Sequence, residues 1–180
     1  MVVAKAGLVL VSGPSRGGKS RWAESLLKLR PKVTYLATAA NRPDDPSWQA
    51  RLRLHRERRP QQWGLLETTS DLPETISRLP KDEALLVDSV GGFVAWCLDL
   101  DQEQWEQRST QLLRAVEQPD RMVVMVIEET GWGVVPATPI GGLFRDRLGL
   151  LAQQLETRSQ RSWLVLQGRA IDLHAIGEPV

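Results

Sequence analysis

Cysteine is nearly absent from this 180-residue chain, since Cys97 is the only one. A single thiol excludes a disulfide scaffold and suits a reducing compartment, so we expect a cytoplasmic protein. Excess charge is also lacking, because a net charge of +1 creates no global field for nucleic acid or a membrane surface. No apolar run reaches the roughly 18 residues of a membrane span, and we expect no signal peptide. The length predicts one globular domain over residues 1–180.

The segment from Gly13 to Ser20 is the most informative local pattern. It follows an apolar run at 8–12 and fits G-x-x-x-x-G-K-[ST] between a strand and a helix, the context that a phosphate-binding loop requires. Glycines allow backbone N–H groups to point at phosphate oxygens, and the start of the helix adds partial positive charge. We expect Lys19 to reach the β- and γ-phosphates of a nucleoside triphosphate and Ser20 to bind Mg²⁺. The predicted nucleotide-binding loop comprises Gly13, Pro14, Ser15, Arg16, Gly17, Gly18, Lys19 and Ser20.

Apolar strand segments alternate with helical segments along the chain. We predict strands over 8–12, 33–38, 63–68, 84–88, 122–127 and 162–167, and helices over 20–29, 48–58, 72–79, 102–117 and 143–158. Ser47 is the expected N-cap of the second helix, and residues 130–142 are expected to form a loop. Nearly continuous apolar strands predict a mostly parallel sheet with helices on both faces. The predicted fold is therefore a three-layer α/β P-loop NTPase of the RecA-like type.

Polar residues stand at the ends of several predicted strands. Thr38, Asp88 and the pair Glu128–Glu129 fall there, and ligands of parallel sheets bind at the carboxyl ends of the strands. We expect Asp88 to hold Mg²⁺ together with Ser20, with capping of the next helix as the alternative. Trp96 and Trp132 are candidates for lining a large ligand pocket, although packing in the core or at the rim suits each of them at least as well.

The second predicted helix is basic and contains one of the two histidines, His55. A neutral imidazole can attack phosphorus, and nearby guanidinium groups would stabilise a triphosphate and favour the neutral ring. Composition alone nevertheless favours a solvated basic helix, and a nucleic-acid patch is a weaker alternative. We expect the other histidine, His174, at the surface. The arginines around His55 are Arg51, Arg53, Arg56, Arg58 and Arg59.

Together these motifs resemble the bifunctional adenosylcobinamide kinase/adenosylcobinamide-phosphate guanylyltransferase family of cobalamin biosynthesis. The His-Arg-x-x-Arg-Pro-x-x-Trp and Gly-x-Gly-Val-Val-Pro segments are its specific features, and they favour a functional basic helix over a merely solvated one. Beyond the phosphate loop, the resemblance rests on Tyr35-Leu36-Ala37-Thr38-Ala39, Arg51-x-x-x-His55-Arg56-x-x-Arg59-Pro60-x-x-Trp63, Glu67, Leu85-Leu86-Val87-Asp88, Glu129-x-Gly131-x-Gly133-Val134-Val135-Pro136, and Phe144-Arg145-Asp146-x-x-Gly149 with Gln153.

The resemblance implies two reactions. ATP or GTP phosphorylates a corrinoid, adenosylcobinamide, and GMP from GTP then passes to the product through a histidine phosphoramidate. His55 matches the guanylylated histidine, and Lys19 is the second catalytic residue implied. The resemblance also implies a homotrimer with active sites between subunits, and neither nucleic acid nor a membrane is an expected partner. The implied nucleotide contacts outside the loop are Thr38, Arg56, Arg59, Glu67 and Asp88, with Mg²⁺ on Ser20 and Asp88.

The chain departs from the family pattern at five positions: Gly91, Trp96, Glu128, Leu150 and Ala152. The family pattern has Thr, Asn, Asn, Arg and Asn there, respectively. The nucleotide-side motifs are intact, whereas these polar groups belong to the side expected to receive the corrinoid. The alternative function is therefore that of a divergent P-loop paralogue, which binds a nucleoside triphosphate but acts on another substrate or has a regulatory or binding role.

Overall fold

The computed structural model describes residues 6–40, 42–118, 120–133 and 135–180, with the Arg51 side chain left outside this description. Val134 of the Gly-x-Gly-Val-Val-Pro segment and residues 1–5 of the predicted domain also lie outside the described residues. In chain order the elements are β1 (Gly7–Gly13), α1 (Lys19–Leu27), β2 (Val33–Ala37), α2 (Pro46–Arg58), β3 (Gly64–Glu67), α3 (Leu72–Arg78), β4 (Ala84–Asp88), α4 (Val90–Trp96), α5 (Gln102–Val116), β5 (Met122–Glu128), α6 (Pro139–Glu156), β6 (Arg161–Leu166), β7 (Arg169–Asp172) and α7 (Leu173–Ile176).

The described strands form one seven-stranded sheet in the order β3-β2-β4-β5-β1-β6-β7. Neighbouring strands are parallel except for β6 and β7, which are antiparallel. The mostly parallel sheet predicted from the sequence is therefore confirmed. The sequence pattern does not predict β7, because this strand is short and mixes polar with apolar residues. Gln167 and Gly168, with φ of 49° and 78°, form a two-residue turn in the left-handed region that reverses the chain between β6 and β7.

Apolar side chains pack on both faces of the sheet. Along β1, Leu8 and Leu10 belong to one buried cluster, whereas Val9 and Val11 belong to another. The first cluster includes residues of α3, α4, α5 and α6, and the second includes residues of α1. Helices therefore cover both faces, as the nearly continuous apolar strands predict. Within the described ranges, no helix is long and apolar enough to cross a membrane.

Two helices start earlier than the sequence predicts. The N-cap of α2 is Asp45 and not Ser47, since the Asp45 carboxylate accepts hydrogen bonds from the N–H groups of Ser47 and Trp48, both at 3.0 Å. Pro46 then occupies the first helical turn, where its missing N–H costs nothing. Likewise α6 begins at Pro139, capped by the Thr138 hydroxyl, so the loop predicted over 130–142 ends sooner.

Helix α4 is absent from the sequence-based prediction because Gly91 and Gly92 have low intrinsic helix propensity. The structure shows what a side chain would meet at each of these positions. A Cβ on Gly92 would lie 2.9 Å from the carbonyl carbon of Thr38, and a Cβ on Gly91 would lie 2.9 Å from Cδ of Glu128. Close packing of α4 against the ends of β2 and β5 has therefore overridden propensity at both positions.

Candidate active site

The phosphate loop connects β1 to α1 and packs against β6. Gly13 has a φ of 143° and Gly18 a φ of 109°, conformations that side chains rarely adopt. A Cβ on Gly17 would lie 2.6 Å from the carbonyl oxygen of Val165, and a Cβ on Gly13 would overlap the same oxygen. The glycines thus permit both the turn and its contact with β6. At the end of the loop, Lys19 Nζ donates to the carbonyl oxygen of Pro14 at 2.8 Å.

The carboxyl ends of five neighbouring parallel strands lie at one edge of the sheet; these strands are β3, β2, β4, β5 and β1. Ala37 is in register with both Glu67 and Asp88, and Gly13 is in register with Glu128. Residues at this edge and residues of α2 together line a cavity of about 830 Å³. The predicted clustering of the strand ends with the phosphate loop is present in the structure. Among the predicted site residues, those lining the cavity are Ser15, Lys19, Ser20, His55, Arg56, Arg59, Glu67 and Asp88.

Helix α2 carries His55 and four of the five arginines around it, and an ion pair holds the carboxyl end of the helix in place. The Arg58 guanidinium donates to both carboxylate oxygens of Glu24 on α1, at 3.0 and 3.2 Å. This hydrogen bonding raises the pKa of Arg58 above its ordinary value. Two-point pairing of this kind restricts orientation as well as distance. The contact therefore holds the basic helix beside the helix that follows the phosphate loop.

His55 lies next to Tyr35 on β2 and to Asp88 at the end of β4. The Tyr35 hydroxyl donates to Asp88 Oδ2 at 2.8 Å, and its oxygen is 3.4 Å from His55 Nδ1. His55 Nδ1 is itself 3.9 Å from Asp88 Oδ2. Burial raises the pKa of Tyr35 well above its ordinary value, and the Asp88 carboxylate adds to this effect, so the hydroxyl keeps its proton. The Arg59 guanidinium lies 5.0 Å from the centre of the Tyr35 ring.

Sequence reasoning did not assign Tyr35 to the site. The available signal was a phenol inside an otherwise apolar strand, because a buried tyrosine needs a hydrogen-bond partner for its hydroxyl. Thr38, by contrast, was predicted to bind nucleotide and is fully buried. Its hydroxyl donates to the carbonyl oxygen of Ser89 at 2.6 Å and accepts from the Ser89 N–H at 2.8 Å. Thr38 thus joins the end of β2 to the start of α4.

The Glu128 carboxylate anchors the first turn of α4 and the residue before it. It accepts hydrogen bonds from the Gly91 N–H at 3.0 Å and from the Ser89 hydroxyl. Trp96, at the other end of α4, donates from its indole N–H to the carbonyl oxygen of Thr38 at 2.8 Å and lines the cavity. Trp132 lies in the loop after β5, is 62% exposed, and stands outside the cavity lining. Of the two candidate tryptophans, Trp96 alone is placed at the cavity.

Residues 9–173 match the family model described as cobinamide kinase / cobinamide phosphate guanyltransferase, CobU. The chain belongs to the CobU family. The match includes both the phosphate loop and the α2 segment that carries His55, so the family inferred from the sequence motifs is confirmed.

Relatives cover the chain almost from end to end. The bifunctional adenosylcobalamin biosynthesis protein CobU of Escherichia coli (strain K12) is 31% identical over 181 residues, which is 92% of this chain and 99% of that protein. The bifunctional adenosylcobalamin biosynthesis protein CobP of Pseudomonas aeruginosa is 32% identical over 177 residues, covering 95% and 98% respectively. The similarity to these CobU-family proteins therefore extends over more than nine-tenths of each chain.

A solved structure shows the same fold at low sequence identity. A prototypical ATPase from the type III secretion system of pathogenic bacteria is 14% identical, with a TM-score of 0.58, and the alignment covers 96% of this chain and 58% of that chain. This likeness, together with the sheet order and the glycine-rich loop, confirms the predicted P-loop NTPase fold.

The departures from the CobU-family pattern differ in their structural setting. Gly91 and Glu128 contact each other, and Trp96 contacts the end of β2. Leu150 is 61% exposed on α6, whereas Ala152 packs against the buried core. Three of the five departures thus lie at the cavity, where they have replaced polar side chains by one carboxylate and one indole.

Proposed function

We propose that this chain catalyses both reactions of its family in the single cavity that α2 helps to line. In the first, a nucleoside triphosphate phosphorylates adenosylcobinamide, and in the second, GMP from GTP is transferred to that phosphate through His55. The observation that supports this proposal is that His55 lines the same cavity as Lys19 and Ser20 of the phosphate loop. A nucleotide whose phosphates rest on the loop would present a phosphorus atom to the imidazole.

The loop would bind the triphosphate through backbone N–H groups and Lys19, as such loops do. The Ser20 hydroxyl and the Asp88 carboxylate both line the cavity, and hard oxygen donors of this kind suit Mg²⁺. Within the described residues, no group of three or more His, Cys, Asp or Glu side chains forms a metal cage. Mg²⁺ commonly keeps waters and phosphate oxygens as ligands. When bound, the ion would neutralise part of the phosphate charge.

His55 would act as a nucleophile in the guanylyl transfer. An imidazole lone pair attacks the α-phosphorus of GTP, a P–N bond forms, and the P–O bond to pyrophosphate breaks with its electron pair leaving on pyrophosphate. A phosphate oxygen of the corrinoid then attacks the same phosphorus, and the electrons of the P–N bond return to the ring. Arg56 and Arg59 line the cavity and would stabilise the negative charge of the phosphates.

A second candidate function is favoured by Glu128. Its carboxylate places negative charge in the cavity beside the start of α4, at the end of the strand that neighbours the start of the phosphate loop. Negative charge there would disfavour a phosphorylated acceptor. The chain would then guanylylate His55 but transfer GMP, or the γ-phosphate, to a different acceptor. Supplying adenosylcobinamide with either ATP or GTP distinguishes the two functions, because the second candidate leaves the corrinoid unmodified.

The test of His55 is the intact mass of the protein after incubation with GTP and Mg²⁺. We expect a mass increase of one GMP that is lost in acid and is absent from His55→Ala. The matched control is His174→Ala, since His174 is the other histidine and pairs with Glu156 at 2.6 Å, away from the cavity lining. An adduct that persists in His55→Ala would contradict the proposal.

We also propose that the protein self-associates as a homotrimer in the cytoplasm. Ile140, Leu143 and Leu150 are spaced to share one face of α6, and each is more than a third exposed. Trp132 and Val135 add exposed apolar surface in the preceding loop. Apolar side chains grouped in this way are typical of a protein–protein interface.

A further inference from the structure

Tyr35 lies between His55 and Asp88, and this arrangement bears on which imidazole nitrogen reacts. We propose that Tyr35 is a positioning residue that holds the proton of His55 on Nδ1 and so makes Nε2 the nucleophile. This inference rests on the proposed function, because it specifies the atom through which His55 would carry GMP.

The direction of each hydrogen bond follows from the number of protons. A carboxylate accepts hydrogen bonds and does not donate them, so the single proton of the Tyr35 hydroxyl lies on the 2.8 Å contact with Asp88 Oδ2. The Tyr35 oxygen can then only accept in its 3.4 Å contact with His55 Nδ1. Nδ1 must therefore carry hydrogen, and in a neutral imidazole the lone pair is then on Nε2.

The same arrangement suits the charge that the reaction creates. When Nε2 bonds to phosphorus and pyrophosphate leaves, the ring becomes a cation that keeps its proton on Nδ1. Asp88 Oδ2, at 3.9 Å from Nδ1, would stabilise this cation. When the acceptor phosphate attacks, the P–N electrons return to Nε2 and the ring is again neutral. Neither step requires the Nδ1 proton to leave, so Tyr35 and Asp88 can hold it throughout.

The position of Tyr35 is fixed by the sheet. Tyr35 is only 6% exposed, pairs in register with Leu86 on β4, and packs in the same buried cluster as Leu86. The Arg59 guanidinium lies 5.0 Å from the centre of its ring. A group fixed by strand pairing can orient a histidine on α2 more reliably than a group on a loop.

The direct test identifies the nitrogen that carries GMP. Protein labelled with ¹⁵N-histidine is incubated with GTP and Mg²⁺, unfolded in alkaline buffer, and examined for one-bond coupling between phosphorus and each ring nitrogen. We expect the phosphorus on Nε2. Phosphorus on Nδ1 would overturn this inference while leaving guanylylation of His55 intact, whereas the absence of any adduct would overturn the proposed function itself.

The second test is Tyr35→Phe, which removes the hydroxyl and keeps the ring beneath Arg59. We expect guanylylation of His55 to slow by about 10- to 100-fold, the usual effect of losing a group that orients a reacting residue, with KM for GTP nearly unchanged. The matched control is Thr34→Val on the same strand, where the lost hydroxyl donates to Glu83 at 2.7 Å. Equal slowing in both variants, or none in Tyr35→Phe, would overturn the inference.

Discussion

The Gly91 N–H donates to Glu128 Oε2 at 3.0 Å, and a Cβ on Gly91 would lie 2.9 Å from Glu128 Cδ. These two departures from the family pattern therefore depend on each other. A side chain at residue 91 would force the Glu128 carboxylate out of the position in which it holds the start of α4. Together they form one structural change at the wall of the cavity.

This dependence predicts that the effect of Gly91→Ala on the free energy of unfolding changes sign when Glu128 is replaced. Gly91→Ala must displace the Glu128 carboxylate, and losing its hydrogen bonds destabilises the protein by about 1.5–3 kcal/mol. The higher helix propensity of alanine offsets up to about 1 kcal/mol of this loss. We therefore expect Gly91→Ala to lower the free energy of unfolding by about 1 kcal/mol. In the Glu128→Ala background the same substitution should instead be stabilising. Urea denaturation of the four proteins measures the cycle.

Gly149→Ala on α6 is the matched control for this cycle. A Cβ on Gly149 meets no atom within 4 Å, so only helix propensity should change. We expect it to stabilise the protein equally with Glu128 or Ala at position 128. If Gly91→Ala behaves as Gly149→Ala does in both backgrounds, Gly91 and Glu128 are independent.

The two reactions should separate by mutation, because both use the phosphate loop and only one uses His55. Lys19→Ala removes a cation from the loop, and we expect nucleotide to bind about 10- to 100-fold more weakly and both activities to fall. His55→Ala should retain phosphorylation of adenosylcobinamide and lose formation of adenosylcobinamide-GDP. Chromatography of the corrinoid products with ATP or GTP measures both.

Lys28→Ala is the control for Lys19→Ala, since Lys28 is exposed at the opposite end of α1. It should leave both activities unchanged. A His55→Ala variant that still forms the GDP product would contradict the separation.

Burial of Cys97 predicts a dependence of stability on alkaline pH. Desolvation raises the pKa of its thiol from 9.0 to about 11, so the unfolded chain loses this proton at a lower pH than the folded protein does. The contribution to stability is therefore complete below about pH 9 and declines as the pH rises towards 11. We expect the free energy of unfolding to fall more steeply across this range in the wild type than in Cys97→Ala. Parallel curves would contradict the account of this thiol.

The apolar face of α6 predicts concentration-dependent assembly. Light scattering should give the mass of a trimer for the wild type. Leu150→Glu should shift it towards the monomer, because Leu150 is 61% exposed and a charge at an interface centre is unfavourable. Leu54→Glu on α2 is a control of similar exposure, at 57%. A monomeric wild type, or equal dissociation by both variants, would contradict a role for this face.

Most of the fold could be predicted because its signals are local. The buried strands are nearly continuous apolar runs. The glycine-rich loop is recognised from its motif and from the strand and helix segments that flank it in the sequence. The prediction of helices failed where tertiary or capping contacts, and not local propensity, determine whether a helix forms or where it begins. Helix α4 was missed because its two glycines, Gly91 and Gly92, pack against neighbouring strand ends despite their low helix propensity. The early start of α6 was missed because its first residue is Pro139, and only the Thr138 cap reveals it. Asp45 displaced Ser47 as the cap because it precedes Pro46.

The site could be predicted in part for the same reason. Asp88 is the last residue of an otherwise apolar strand, and this pattern predicts that it lies at the sheet edge with the phosphate loop. Tyr35 could not be placed there, since its contact with His55 joins β2 to α2 across twenty residues of chain. Nor could the pairing of Gly91 with Glu128, which lie thirty-seven residues apart. Such contacts depend on which strands are neighbours in the sheet. The alternation of strands and helices along the sequence does not determine that order.

The most direct test of the account is a chase of the isolated GMP adduct. Wild-type protein is guanylylated with GTP and Mg²⁺, freed of nucleotide, and then mixed with adenosylcobinamide phosphate. We predict that the protein returns to its original mass while one equivalent of adenosylcobinamide-GDP appears. An adduct that forms on His55 but persists unchanged in the presence of the corrinoid would contradict the proposed acceptor and leave an enzyme with a different substrate.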